Sequence, residues 1–124
     1  MNIMLRLTDL SLAVCKLNSI HEAEGIGGFF TLSSTGREVS LVCESRFAPA
    51  SAVRCERGFR AFEIMGELDF SLTGIISGIS SALAKNKISV FVVSTFDTDW
   101  VLVKEAKLEA AIDALVGAGY NVVQ

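Results

Sequence analysis

The chain has 124 residues, of which 51% are hydrophobic and 20% are charged, so it is long and apolar enough to form one compact domain or two small units that share a core. Its formal net charge is −3, and acidic and basic residues are mixed along the sequence without a basic patch. This composition excludes an intrinsically disordered chain and argues against nucleic-acid binding.

The N-terminal segment differs from a signal peptide, because polar and charged residues interrupt its apolar positions. No apolar run reaches the ~20 residues that a membrane-spanning helix needs. The three cysteines, Cys15, Cys43 and Cys55, are odd in number and scattered along the sequence. We therefore predict a reduced, cytoplasmic protein with no disulfide framework and no membrane association.

In the first half, the mostly apolar residues 12–17 predict a buried strand. Ser19 and Glu22 follow with the S-x-x-E spacing of a capping box, which predicts a very short helix. Residues 29–44 predict two strands around a polar turn. Residues 45–57 show no sustained period and predict a connector.

The second half predicts alternating strands and helices. In chain order these are a strand (59–66), a helix (71–85), the two strands of a hairpin (88–96 and 99–105), a second helix (106–120) and a short strand (121–124). Each helix has an apolar stripe at 3.6-residue spacing, which in the second helix consists of Leu108, Ala111, Ile112, Leu115 and Val116. This β-α-β-β-α-β order predicts a ferredoxin-like unit and therefore an α+β fold.

A weak internal repeat links the two halves. A shift of 61 residues lays FTLSSTGREVSLVCE on FVVSTFDTDWVLVKE, with Phe30 on Phe91. The first half therefore resembles the second with a shortened first helix and without its second helix. We predict two domains: a reduced, strand-rich unit at residues 1–57 and a complete unit at residues 58–124.

The stretches ELDFSLTGI (67–75), before the first helix, and STFDTD (94–99), at the hairpin, resemble a known family. Residues 59–116 are similar to the small two-unit ACT proteins, and the first half is similar more loosely. These proteins are relatives of the regulatory domains of bacterial aspartate kinases and of the animal cytosolic arginine sensors called CASTOR. The resemblance implies ACT-type ferredoxin-like units, a homodimer formed by pairing of sheets, and an amino acid bound between units without a cofactor or metal.

The implied site joins the start of the first helix to the hairpin turn. A helix N-terminus offers unpaired N–H groups to a carboxylate, and a nearby acid can meet an ammonium group or a cationic side chain. On the matching positions, the implied ligand-binding residues are Ser71, Leu72, Thr73, Gly74, Ile75, Thr95, Phe96, Asp97 and Asp99. This sequence differs from the arginine sensors at Leu72, where they have a glutamate. It also differs from many ACT units at Thr73-Gly74, where they have Pro-Gly. The resemblance therefore implies no particular amino acid.

Several of these features also have a purely structural interpretation. Asp97 can form an Asx-type turn, and Ser71 or Thr73 can serve only as a helix N-cap. The D-x-D pair of Asp97 and Asp99 could also bind a divalent cation through its oxygens, as in a metal-dependent enzyme.

Catalytic motifs are missing from the sequence. It has a single histidine, no P-loop, no G-x-G-x-x-G stretch and no Cys/His zinc spacing. We therefore predict that the protein is not an enzyme. Its predicted function is that of a regulatory module that binds an amino acid or a similar small ligand, with a protein partner to regulate. The alternative is a structural or protein-interaction module that has kept the fold without the ligand.

Overall fold

The computed structural model of the protein describes residues 3–65 and 74–124. Its strands are β1 (Met4–Leu17), β2 (Phe30–Ser34), β3 (Val39–Glu44), β4 (Arg54–Ile64), β5 (Phe91–Ser94), β6 (Asp99–Lys104) and β7 (Asn121–Val123). Its helices are α1 (Ile75–Lys85) and α2 (Leu108–Gly117), with 3-10 turns at Ile20–Ala23, Ser45–Phe47 and Glu105–Lys107. Neither described α-helix has the length and apolar composition of a membrane-spanning segment.

The chain forms two compact units, and strands β1 and β4 contribute residues to both. The larger unit contains residues 1–9 and 60–124, and the smaller unit contains residues 10–59. The domain boundary between residues 57 and 58 stays a prediction. The compact units of the structure differ from the predicted domains in one respect: the first nine residues belong to the same unit as the second half of the chain.

The larger unit has the predicted ferredoxin-like order β4-α1-β5-β6-α2-β7. Its sheet order is β7-β1-β4-β6-β5, so the first part of β1 lies between β7 and β4. Strand β7 runs parallel to β1, with Met4 opposite Asn121. On the other side, the Met65 N–H donates a 2.9 Å hydrogen bond to the Met4 carbonyl. The sequence analysis did not predict this extra strand, although the alternation of Arg6 with the buried Leu5 and Leu7 is typical of a strand with one buried face.

The core of the larger unit lies between the sheet and the two helices. Both predicted helix stripes contribute to it, since Ile79, Leu83, Ala111 and Leu115 are buried. Val116 is the exception: it is exposed, and its assignment to the second stripe is wrong. The remaining buried members are Leu5, Leu7, Phe62, Ile64, Ile88, Val101 and Val103.

The smaller unit is built from the rest of β1 together with β2, β3 and the first part of β4. Strand β3 pairs antiparallel with both β1 and β2. The predicted capping box is confirmed, because the Ser19 side chain accepts a hydrogen bond from the main chain while Glu22 accepts one from the Ser19 N–H. The cysteines, scattered in sequence, come together here in one core with Ala13, Leu17 and Leu41.

The two hairpins of the chain are equivalent, but the shift that relates them is 60 residues rather than 61. At this shift, strand β3 corresponds to β6 residue by residue. The 3-10 turn that follows β3 likewise corresponds to the one that follows β6. In each strand the first two residues are half-buried and the next three are buried. The turns also match, because the Thr35 N–H donates to the Glu38 carbonyl at 3.0 Å and the Thr95 N–H donates to the Thr98 carbonyl at 2.9 Å.

Two predicted strand starts were wrong. Strand β1 begins at Met4 rather than at residue 12, and β4 begins at Arg54 rather than at residue 59. The segment predicted as a connector therefore contains a 3-10 turn and the start of β4. Helix α1 begins at Ile75, while residues 71–73 of the predicted helix lie outside the described residues.

Candidate functional site

The hairpin turn between β5 and β6 carries four of the predicted site residues. Thr95 closes this turn, since both its N–H and its hydroxyl donate hydrogen bonds to the Thr98 carbonyl, at 2.9 and 3.0 Å. The side chains of Thr95, Phe96 and Asp97 are exposed. Among the described residues the Asp97 carboxylate accepts no hydrogen bond, so the Asx-type turn that its position suggested does not form.

Thr98 fixes the position of this turn. Its side chain is only 8% exposed, and its hydroxyl donates a 2.7 Å hydrogen bond to the main-chain carbonyl of Ile64, the last residue of β4. The turn therefore lies against the end of the strand that precedes the β4–α1 connection. Sequence reasoning missed Thr98, because a threonine between two aspartates in a polar turn looks like a solvent-exposed residue.

Asp99 is the first residue of β6 and lies opposite Ser94 in the hairpin. It is half-buried, and within the described ranges its carboxylate has neither a hydrogen bond nor an ion pair. The equivalent residue of the first hairpin is Val39, at the start of β3. Since that hairpin forms the same turn without an acid at this position, Asp99 is not required for turn formation.

The start of α1 carries two further predicted residues. Gly74 is the N-cap, with a φ of 83° that favours glycine, and it provides no side-chain cap. The first turn of α1 contains no acidic residue, so the positive end of the helix dipole is not neutralised within the helix. The Ile75 side chain packs against the core of the larger unit, which leaves its backbone N–H as the group available to a ligand.

The structure brings together some of the predicted residues and leaves others unplaced. Thr95, Phe96, Asp97 and Asp99 share one turn, and Gly74 and Ile75 share one helix start. In the described part of the chain, no hydrogen bond joins these two groups. Ser71, Leu72 and Thr73 lie outside the described residues, and the N-cap role suggested for Ser71 or Thr73 belongs to Gly74.

A metal site is not formed by the residues that the structure describes. Over residues 3–65 and 74–124, no group of three or more His, Cys, Asp and Glu side chains could hold an ion. The Asp97 and Asp99 pair therefore has no third protein ligand in these ranges.

The family model described as "ACT domain" matches residues 54–116, just over half of the chain. The chain belongs to the ACT domain family. The match spans the complete β4-α1-β5-β6 arrangement and most of α2, so it contains both parts of the candidate site.

Solved structures extend this likeness over nearly the whole chain. A protein from Agrobacterium tumefaciens is 35% identical, with a TM-score of 0.87 over 99% of this chain and 93% of that one. A Vibrio cholerae protein of unknown function, described as a possible transport protein, is 17% identical, with a TM-score of 0.74 over 94% and 90% of the two chains.

An aspartate kinase subunit has the same fold. The regulatory subunit of aspartate kinase from Thermus thermophilus, in a ligand-free form, is 13% identical, with a TM-score of 0.63 over 96% of this ACT domain protein and 97% of that chain. No curated protein matches. The ACT domain match therefore lies in residues 54–116, and the solved structures show a shared fold over both halves of the chain.

Proposed function

We propose that this ACT domain protein is a non-catalytic regulatory module of the cytoplasm that binds an amino acid through Asp99 and the start of α1. The ligand's ammonium group, or a cationic side chain, pairs with the Asp99 carboxylate. Its α-carboxylate accepts hydrogen bonds from the free N–H groups of the first turn of α1. Thr95, Phe96 and Asp97 line the exposed side of the turn, and Ser71, Leu72 and Thr73 complete the site in this proposal.

The Asp99 carboxylate, which has no hydrogen-bond or ion-pair partner among residues 3–65 and 74–124, is the observation that carries the proposal. A half-buried carboxylate without a protein partner is costly unless something else satisfies it. The equivalent hairpin has Val39 at this position and forms the same turn, so the acid has no structural task there. A cationic ligand group supplies the missing partner.

The anchored turn supports the same conclusion. Because Thr98 bonds to the last residue of β4 and Asp99 begins β6, the main chain that carries the Asp99 carboxylate is anchored on both sides. A preorganised charge binds a ligand more tightly than a mobile one, since less conformational freedom is lost on binding.

A thermal-shift screen of the twenty amino acids tests the proposal. At a hundredfold excess over its Kd, a ligand adds ~2.7 kcal/mol to the free energy of unfolding, which raises Tm by roughly 10 °C for a chain of this size. A rise in Tm with one amino acid, or with several amino acids that share one type of side chain, supports the proposal. No response to any of the twenty would contradict it and favour the alternative below.

We also propose that the protein acts as a homodimer. Among the described strands of the larger unit, β5 lies at an edge of the sheet. Phe91 on this strand is 38% exposed and Phe96 in the turn is 79% exposed. Edge strands with exposed apolar side chains are commonly covered by pairing with a second chain. Multi-angle light scattering at micromolar concentration should give twice the monomer mass, and a monomer would contradict this proposal.

The alternative function is a protein-interaction module that has kept the ACT fold without a ligand. Phe96 is the observation that favours it, because a large aromatic side chain at an exposed turn tip is a common anchor in protein interfaces. This function predicts no amino-acid response in the thermal screen, together with a loss of partner binding in Phe96→Ser.

A further inference from the structure

The three cysteine side chains meet inside the smaller unit, where Cys15 contacts Cys55 and also has a side-chain hydrogen bond with Cys43. The Sγ atom of Cys55, on β4, lies 2.6 Å from the Sγ atom of Cys15, on β1, and both are free thiols. At this separation the two sulfur atoms are in direct contact, with no other atom between them. The 40-residue separation in sequence gave no indication of this contact.

The two thiols differ in their access to solvent. Cys15 is 1% exposed, whereas Cys55 is half-buried and can be reached from solution. Burial, followed by the hydrogen bond with Cys55, raises the pKa of Cys15 to about 12. Cys15 therefore stays a neutral thiol at physiological pH, and Cys55 is the sulfur that a dissolved oxidant meets first.

We propose that Cys15 and Cys55 form a reversible disulfide when the protein meets hydrogen peroxide, which makes the smaller unit a redox-responsive site. The Cys55 sulfur attacks one peroxide oxygen, so that an S–O bond forms and the O–O bond breaks, and the departing hydroxide leaves as water with the Cys55 thiol proton. The Cys15 sulfur then attacks the sulfur of the Cys55 sulfenic acid, so that the S–S bond forms and the S–O bond breaks, and the departing hydroxide leaves as a second water with the Cys15 proton. Both sulfurs are oxidised and both peroxide oxygens are reduced to water.

The disulfide would constrain a large part of the smaller unit. It closes a loop from residue 15 to residue 55. This loop contains β2, β3 and the 3-10 turns at Ile20–Ala23 and Ser45–Phe47. Closing a loop of this length removes conformational freedom from the unfolded chain and therefore stabilises the folded state. The oxidised protein should melt roughly 10 °C higher than the reduced protein, and a reductant should reverse the shift.

Peptide mapping tests the proposal directly, because trypsin places each cysteine on its own peptide. These are residues 7–16 with Cys15, residues 38–46 with Cys43 and residues 55–57 with Cys55. The full-length reduced protein is treated with stoichiometric hydrogen peroxide, blocked with an alkylating agent and digested without reductant. We expect a disulfide-linked species that joins peptides 7–16 and 55–57 of one chain. Cys43 should be the one cysteine that carries the alkylating agent.

Two variants control this experiment. Cys43→Ala keeps both partners and should still form the link, whereas Cys15→Ala should stop at oxidised Cys55 without an internal disulfide. A link through peptide 38–46, a disulfide between two chains, or a sulfinic acid on Cys55 without any link would overturn the proposal. The wild-type map decides the matter even where the Cys15 variant fails to fold, and an unchanged or lower Tm of the linked protein would contradict the stabilising role.

Discussion

The Thr98 hydroxyl donates a 2.7 Å hydrogen bond to the Ile64 carbonyl, and both residues are buried. Thr98→Val keeps the shape of the side chain but leaves this carbonyl without its donor. An unsatisfied buried polar group costs about 1–3 kcal/mol. We therefore expect the Tm of Thr98→Val to fall by several degrees in a thermal melt.

Two matched variants identify the cause of that loss. Thr98→Ser retains the hydroxyl and should recover most of the stability. Thr95→Val removes a hydroxyl whose bond to the Thr98 carbonyl is only partly buried, and that carbonyl keeps the bond from the Thr95 N–H, so its Tm should fall less. Equal losses in Thr98→Val and Thr95→Val would show that the buried bond to β4 has no special importance.

Gly78 in α1 has no room for a methyl group, because a Cβ there would lie 2.5 Å from the Tyr120 hydroxyl oxygen. The next nearest atom, the Tyr120 ring carbon, would lie 3.9 Å away, which is an ordinary contact. In a helix interior, alanine is favoured over glycine by about 1 kcal/mol. Gly78→Ala should therefore stabilise the protein in a Tyr120→Phe background, and should stabilise it less or destabilise it in the wild type.

A double-mutant cycle measured by denaturant unfolding checks this coupling. Gly117→Ala in α2 is the control, since a Cβ at Gly117 would meet nothing within 4 Å. Its effect should be the same with Tyr120 or Phe at position 120. Additive effects of Gly78→Ala and Tyr120→Phe would contradict the steric explanation.

Local patterns in the sequence predicted most elements of the larger unit, but not the pairing of distant segments. Alternation and turn residues identified both hairpins, and 3.6-residue spacing identified both helices. The repeat was misaligned by one residue because the match of Glu44 with Glu105 outweighed the Ser-Thr pairs at residues 34–35 and 94–95, which close the equivalent turns. The position of β1 between β7 and β4 depends on long-range packing that no local pattern records.

The candidate site shows the same limit. The two acids of the turn were recognisable from the sequence as possible ligand contacts. Which of them is half-buried depends on the Thr98 bond to β4, a contact between residues 34 positions apart. The meeting of Cys15 with Cys55 depends in the same way on the packing of β1 and β4.

Glu22 should make the stability of the protein depend on pH. The hydrogen bond from the Ser51 hydroxyl, assisted by the N–H groups of Asn18 and Ser19, lowers the pKa of the Glu22 carboxyl below its ordinary value of 4.5. A carboxyl with a lowered pKa stabilises the folded state above its unfolded pKa, and this stabilisation is lost as the pH falls through the folded pKa. Glu22→Gln should therefore melt below the wild type at pH 7, with a difference that shrinks below pH 4.5.

Thermal melts at several pH values check this expectation. Glu109→Gln is the control, because Glu109 is an exposed glutamate in the first turn of α2 and accepts no hydrogen bond from the described residues. Its Tm difference from the wild type should be smaller and should not follow the same pH course. A Glu22→Gln difference that is constant between pH 3 and pH 7 would contradict a role for the ionised carboxylate.

Asp99 and Asp97 provide a matched pair for testing the proposed ligand site. Asp99→Asn removes the charge and keeps the shape of a half-buried side chain, whereas Asp97→Asn makes the same change at an exposed one. Neither change should disturb the turn, because Val39 and Arg37 occupy the equivalent positions of the first hairpin, which has the same main-chain hydrogen bond. The two variants should therefore melt close to the wild type in the absence of ligand.

Binding should separate the two variants. Loss of one partner of a desolvated charge pair costs ~2–5 kcal/mol, because the other charge is left unpaired. Asp99→Asn should therefore weaken binding by roughly thirtyfold to several thousandfold, and Asp97→Asn by much less. The measurement is calorimetric titration of both variants with the amino acid that gives the largest thermal shift. Small and equal losses in the two variants would mean that Asp99 does not contact the ligand, and the binding site would then have to be sought away from this turn.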